Sequence, residues 1–289
     1  METGERSDSI DGPDATSETK GETGLRLAVL GTGKLAGALV RGWVAAGTLK
    51  PANIRLHNRT AERARMLSLA TEARVAGTPT EAVAGANAVV VAVKPWAVAE
   101  TVAAVCDALP EDCLILSVAA GTKIATMAGV LRPGASIVRV LPNTPALVGA
   151  AASAFCRGEH ASDAHAALTR DLFGAVGTIV EVTEEQMDAV VGVASSGVAY
   201  FYLMIEAMTD GGVRAGLPRD TARMLAAQTA LGAARMVLET GEHPAALKDA
   251  VTTPGGTTMA GLETLEAAGI RGTLIAAVRA ARDRSRELG

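Results

Sequence analysis

Leu27-Ala28-Val29-Leu30-Gly31-Thr32-Gly33-Lys34-Leu35-Ala36 is the stretch on which the fold turns. Four apolar residues without polar alternation read as a strand covered on both faces. They run directly into a Gly-x-Gly-x-x-Ala pattern, which opens a helix expected over Lys34 to Ala46 and closed by Gly47. The first glycine permits a tight turn, the second lets backbone approach a pyrophosphate, and the small Ala36 lets helix pack on strand. Amides at such a helix start face the phosphates. Gly31, Thr32, Gly33, Lys34, Leu35 and Ala36 are therefore candidate dinucleotide-binding residues.

Outward from this turn the same grammar repeats. Ile54 to His57, Ala88 to Val93, Leu114 to Val118 and Ile137 to Leu141 are short apolar runs separated by Ala-rich helical segments, with weaker strands at Ser153 to Cys156 and Thr178 to Val182. Strands alternating with helices predict an α/β domain with a doubly wound parallel sheet of Rossmann type, over residues 25–183. Strand patterns stop after Glu184, and residues 184–289 predict an all-α domain. Breaks are expected at Gly211-Gly212, Gly216-Leu217-Pro218, His243-Pro244 and Thr252 to Gly256. These helices are apolar on more than one face, which favours cover by a second copy of the chain. Burial against the first domain is the alternative.

Composition excludes several functions. Residues 1–24 hold seven acidic side chains against Arg6 and Lys20, while the whole chain carries −4, so the body has no basic excess for nucleic acid. The leader lacks the basic start and apolar run of a secretory signal and reads as a disordered acidic tail. Cys106, Cys113 and Cys156 form no CxxC pair, which suits a reducing cytoplasm, and the scattered histidines predict no metal site. The longest uncharged apolar stretch, Ala189 to Ile205, is interrupted by glycines and serines and reads as a buried core helix rather than a membrane span. Aromatic residues make up 2% of the chain, so the core is expected to be built from Ala, Val, Leu and Ile.

Further motifs sit where open parallel sheets bind ligands. The second strand ends in Asn58-Arg59-Thr60 instead of the carboxylate that accepts from a ribose 2′-OH. An arginine with amide and hydroxyl donors suits a 2′-phosphate, so the cofactor is expected to be NADP(H), with NAD(H) as the alternative. Val93-Lys94-Pro95 directs Lys94 towards the crevice, and Ala119 and Gly121 leave room for a nicotinamide ring. Asn143, held between Pro142 and Pro145 in a rigid turn, is the last cofactor candidate. Far along the chain, Thr252-Thr253-Pro254-Gly255-Gly256-Thr257-Thr258 leads into a helix with free amides and hydroxyls, a surface suited to a small carboxylate.

Together these segments resemble the pyrroline-5-carboxylate reductases, enzymes of the last step of proline biosynthesis, from about residue 25 to 285. The most specific parts are LPNTPALVG (141–149), EAMTDGGVRAGLPR (206–219) and GEHPAALKDAVTTPGGTTMAGLETLE (241–266). The resemblance implies a Rossmann domain joined to an all-helical dimerisation domain, with the active site completed across a homodimer that is open to further assembly. It places the pyrophosphate on Gly31 to Ala36, the 2′-phosphate on Asn58 and Arg59, and ribose and nicotinamide near Val93, Lys94 and Ala119. The substrate carboxylate falls on Thr253 to Thr258, with the Thr258 hydroxyl on the ring nitrogen as the catalytic contact. Three departures stand out: Ser195-Ser196-Gly197-Val198 lacks a Gly and a Pro usual in the family, Trp96 replaces a usual Gln, and Lys34-Leu35 stands where Asn-Met is common.

The implied reaction is NADPH-dependent reduction of a small cyclic imino acid, 1-pyrroline-5-carboxylate, to L-proline. The amides of Gly255, Gly256, Thr257 and Thr258, with the Thr253 hydroxyl, would hold its carboxylate. Two rivals are a related NADP-dependent reductase of another imine or a keto acid, and a non-catalytic NADP-binding protein. A substrate panel separates the first; NADPH binding without turnover identifies the second.

Overall fold

The computed structural model describes residues 24–288. The acidic tail expected over 1–24 lies, apart from Gly24, outside the described residues.

Eight strands, β1 (Leu27–Leu30), β2 (Ile54–His57), β3 (Arg74–Val75), β4 (Ala88–Val91), β5 (Leu114–Ser117), β6 (Ile137–Leu141), β7 (Ala151–Arg157) and β8 (Gly177–Glu181), form one sheet. Their order is β3-β2-β1-β4-β5-β6-β7-β8. Every residue of β1, β4, β5 and β6 is buried, which explains why these strands are apolar except for Ser117 and Arg139. The order reverses between β1 and β4, and that switch point opens a crevice beyond the strand ends, beside the glycine turn.

The expected all-parallel sheet has one antiparallel pairing, β6 with β7, and β8, parallel to β7, is reversed with it. Residues 142–150 are too short a connection to carry the chain back to the other end of the sheet, so it turns over and pairs directly. β3, two residues on the outer edge, carried no strand pattern, and the strand expected to reach Val93 stops at Val91.

Helices cover both faces of the sheet. On one side lie α1 (Lys34–Ala45), α2 (Ala61–Thr71) and, later in the chain, a helix at Asp163–Gly174. On the other lie α3 (Pro79–Val83), α4 (Val98–Ala103) and α5 (Ile124–Ala128). The Asp163–Gly174 helix, α6, is anchored to α1 through Trp43, whose Nε1 donates to Leu172 O at 2.7 Å and whose ring meets Phe173 edge-on at 6.0 Å. The core is mostly aliphatic as expected, but its largest fully buried side chains are Trp43, Phe155 and Phe173.

After β8 the chain is helical: α7 (Met187–Val190), a π-turn (Val191–Ser195), α8 (Gly197–Arg214), α9 (Arg219–Thr240), α10 (Pro244–Ala250), α11 (Thr257–Ala267) and α12 (Ile270–Leu288). The expected break at Gly211-Gly212 does not occur. A Cβ on Gly212 would stand 3.0 Å from the Ala222 Cβ, so this glycine brings α9 close instead of ending α8. Gly269, at φ +70°, supplies a break between α11 and α12 that was not expected.

The expected buried core helix is also corrected. In α8 only Gly197 and Thr209 are buried, while Phe201, Tyr202, Leu203 and Met208 are exposed. Residues Glu184–Arg214 are long and apolar enough to cross a membrane by length and composition alone. On α9, Met224, Leu231, Met236 and Leu238 are likewise exposed. No other described residue covers these faces, and an exposed apolar surface of this extent is typical of an interaction site.

Candidate active site

The glycine turn is built as its sequence requires. Gly31 has φ +97°, and a Cβ there would lie 2.5 Å from Ala92 O, so both its backbone and its contact with the β4 end demand glycine. Gly31 N donates to His57 O at 2.8 Å, joining the ends of β1 and β2. Gly33 faces open space and caps α1, and Ala36 is buried where α1 meets the sheet. The first intrahelical bond is Gly37 N to Gly33 O, which leaves the amides of Lys34, Leu35 and Ala36 at the helix start unpaired within the helix.

Two observations test this turn as a phosphate cradle. Thr32 Oγ1 is buried without a hydrogen-bond partner, an orphan that a phosphate oxygen would satisfy. Lys34 lies exposed at the positive end of α1, where a lone cation is unfavourable and a bound anion offsets it. The residues present therefore fit a dinucleotide pyrophosphate. No side chain closes the space in front of Gly33.

At the end of β2, Asn58 has a role its sequence position did not reveal. Its Oδ1 accepts from Thr32 N at 3.1 Å and its Nδ2 donates to Thr60 O at 3.0 Å, so it shapes the glycine turn. Arg59 is exposed and has no side-chain partner among the described residues, leaving its guanidinium available to a 2′-phosphate. Val93 is half-buried and Lys94 and Pro95 are exposed at the β4 end; Ala119 is buried and Gly121 half-buried after β5. The structure thus brings these candidates to one edge of the sheet.

Asn143 departs from expectation. It is buried, its Oδ1 accepts from Ala152 N at 3.0 Å and its Nδ2 donates to Ala194 O at 3.0 Å. Its amide is engaged by β7 on one side and by the π-turn on the other, not left facing the crevice. Beyond Asn143, β6 and the start of the helical segment meet again where Arg139 Nη1 lies 3.5 Å from Glu184 Oε1. That pair lines a cavity of about 380 Å³ with Gly121, Lys123, Asp188 and Arg286, so it adjoins the β5 end that carries the Gly121 candidate.

The threonine turn lies elsewhere in the single chain. α10 packs on α9 and α11 on α12, with no comparable contact to the sheet. Gly255 has φ +68°, and a Cβ on Gly256 would stand 2.3 Å from Thr253 Oγ1. Gly256 N donates to Thr253 O at 3.0 Å, so this amide, expected to bind carboxylate, is used inside the turn. The amides of Thr257 and Thr258 remain at the start of α11, since Met259 N is the first to bond back, to Gly256 O. The hydroxyls of Thr253 and Thr258 have no hydrogen-bond partner among the described residues.

The described residues thus offer two candidate half-sites, at the glycine turn and at the threonine turn. Comparison with known proteins gives the family. A model of the pyrroline-5-carboxylate reductase dimerisation domain matches residues 184–288, and one described as NADP oxidoreductase, coenzyme F420-dependent, matches 26–121. The pyrroline-5-carboxylate reductase of Glycine max is 45% identical, covering 91% of this chain and 95% of its own length. The chain belongs to the pyrroline-5-carboxylate reductase family. The reductase of Methanosarcina acetivorans is 40% identical over 91% of this chain and 98% of its own. Among solved structures, a pyrroline-5-carboxylate reductase from Coxiella burnetii superposes with a TM-score of 0.87 at 32% identity, covering 92% of this chain and 98% of that one. A Plasmodium falciparum pyrroline carboxylate reductase with NADP bound gives 0.83 at 29%, covering 93% and 100%. The family's dimerisation segment begins at Glu184, just beyond the last strand, so the exposed faces of α8 and α9 fall inside it.

Proposed function

We propose that this chain reduces 1-pyrroline-5-carboxylate to L-proline with NADPH, working as a homodimer in the cytoplasm. The observation that carries the reading is that family membership runs nearly end to end, so the glycine turn and the threonine turn belong to one enzyme architecture.

Once bound, the nicotinamide supplies a hydride for the imine carbon, and the chain contributes position and exclusion of water. Amides at the start of α1 and the Thr32 hydroxyl hold the pyrophosphate, while Arg59 holds the 2′-phosphate. The amides of Thr257 and Thr258, with the Thr253 hydroxyl, hold the substrate carboxylate. The Thr258 hydroxyl hydrogen-bonds the ring nitrogen and orients the imine. The iminium brings its own proton, so no histidine or carboxylate is required as an acid.

The homodimer is supported by the exposed apolar faces of α8 and α9 and by the packing of α10 and α11, which flank the threonine turn, on α9 and α12 and not on the sheet: a partner's turn would complete each site. Subunit cover, in place of lipid, accounts for the apolar Glu184–Arg214 segment. Three free cysteines, two of them buried, favour a reducing compartment.

The test is NADPH oxidation with pyrroline-5-carboxylate, repeated with NADH and with other cyclic imines and keto acids. Turnover is expected with NADPH and pyrroline-5-carboxylate above all others. Binding of NADPH without any turnover would overturn the reading. Light scattering of the purified chain reads the dimer and any larger assembly.

A further inference from the structure

The π-turn Val191–Ser195 is held from two sides. From the sheet, Asn143 Nδ2 donates to Ala194 O at 3.0 Å. From the helical side, α12 approaches so closely that a Cβ on Gly192 would lie 2.5 Å from Val278 O. Tyr200 OH donates to Ala277 O at 3.2 Å just beyond. Such a turn carries one residue more than the α-helix around it, and proteins keep it where function needs it.

Its chemical consequence is visible in the serines. Four threonine hydroxyls in the flanking helices bond the carbonyl four residues back: Thr209 to Ile205, Thr240 to Met236, Thr264 to Ala260 and Thr273 to Gly269. At the π-turn the hydrogen-bond register shifts by one residue, and the Ser195 and Ser196 hydroxyls, both half-buried, have no partner among the described residues.

The location gives these hydroxyls a use. Asn143 lies two residues past the end of β6, and β6 neighbours β5, whose end carries Ala119. Adjacent strands are about 4.8 Å apart, so Asn143 anchors the turn beside the strand end that carries Ala119, the residue proposed to face the nicotinamide.

We propose that Asn143 is a positioning residue for hydride transfer: it fixes the π-turn against the β6 end and so presents the unspent serine hydroxyls where nicotinamide and imine meet. Its Oδ1 bond to Ala152 N keeps the amide from rotating, so the Nδ2 donor always faces Ala194. The proposal rests on the reading of the chain as an imine reductase.

Asn143→Asp tests it. The substitution keeps size and the acceptor for Ala152 N but sets a carboxylate oxygen against Ala194 O. Hydrogen exchange over residues 191–196 and NADPH binding by nucleotide fluorescence need no turnover, and kcat and KM for pyrroline-5-carboxylate complete the set. Amide exchange in 191–196 is expected to rise at least tenfold and kcat to fall at least tenfold, with NADPH affinity within twofold of the unmutated chain. Unchanged kcat overturns the proposal. So does a tenfold loss of NADPH affinity with unchanged exchange, which would make Asn143 a cofactor ligand. If Asn143→Asp does not fold, Gly192→Ala displaces the same turn from the α12 side, and the same fall in kcat at unchanged NADPH affinity is expected. Turnover by the unmutated chain tests the underlying reductase reading separately.

Discussion

Asn58 Oδ1 accepts the backbone N–H of Thr32 at 3.1 Å, tying the end of β2 to the glycine turn at the end of β1. One side chain thereby couples the β2 end, proposed to hold the 2′-phosphate, to the turn proposed to hold the pyrophosphate. Asn58→Ala removes that bond and leaves the Thr32 amide without its partner. A lost hydrogen bond of about 1 kcal/mol predicts a roughly fivefold rise in the NADPH dissociation constant. Nucleotide fluorescence titration measures it, and KM for the imine should move less.

Arg59→Ala bears on cofactor choice. A charge-assisted bond to phosphate is worth about 1.5–3 kcal/mol, so the preference for NADPH over NADH should fall by about tenfold or more. The effect should appear in kcat/KM for NADPH and leave that for NADH nearly unchanged. An unmutated chain that shows no preference for NADPH would remove the basis of this assignment.

Thr258→Val keeps the shape of the side chain and the amide at the start of α11 but loses the hydroxyl. Loss of one hydrogen bond to the ring nitrogen, about 1–2 kcal/mol, predicts a fall in kcat/KM of roughly tenfold for pyrroline-5-carboxylate. Full activity in this variant would show that the hydroxyl does not orient the imine.

Two glycines separate stability from binding. Gly31→Ala forces a side chain into φ +97° and to 2.5 Å from Ala92 O. Gly42→Ala drives a Cβ to 2.3 Å from Val176 Cγ1, between α1 and the sheet domain's far edge. Each should lower unfolding free energy by about 1–3 kcal/mol in denaturant titration. Only Gly31→Ala should also weaken NADPH, because only it reshapes the cradle.

The cysteines give a pH dependence. Burial pushes the Cys113 and Cys156 thiols up from 9.0 to about 12 each. Unfolded thiols ionise first, so the stabilisation these groups give is complete below pH 9 and declines as pH rises towards 12. Denaturation midpoints recorded across that window should fall. Near neutral pH the native chain should show one accessible thiol, the half-buried Cys106, to an aromatic disulfide reagent.

Much of the site was legible because its requirements are local. A positive φ at Gly31, a helix start at Lys34 and the end of β2 just before Asn58 each follow from a few consecutive residues. Asn143 shows the limit of that legibility. A polar residue in a rigid turn at a strand end looks the same in sequence whether it meets a cofactor or a carbonyl of a distant turn. Only its neighbours, Ala152 and Ala194, distinguish the two. Gly211-Gly212 was misread for the same reason: glycine lowers helix propensity locally, but close packing of Gly212 on Ala222 outweighs it.

The sequence by itself determined the alternation of strand and helix, the dinucleotide turn, the change to helices after residue 184 and the family to which these motifs belong. Those properties are written in short-range periodicity and in glycines whose backbone has few alternatives. Tertiary structure alone decided the reversal of β7, the coupling of Asn58 to Thr32, the engagement of Asn143 and the separation of the threonine turn from its own sheet. Each depends on contacts between residues distant along the chain, and such contacts are fixed by packing and hydrogen-bond satisfaction, not by local propensity.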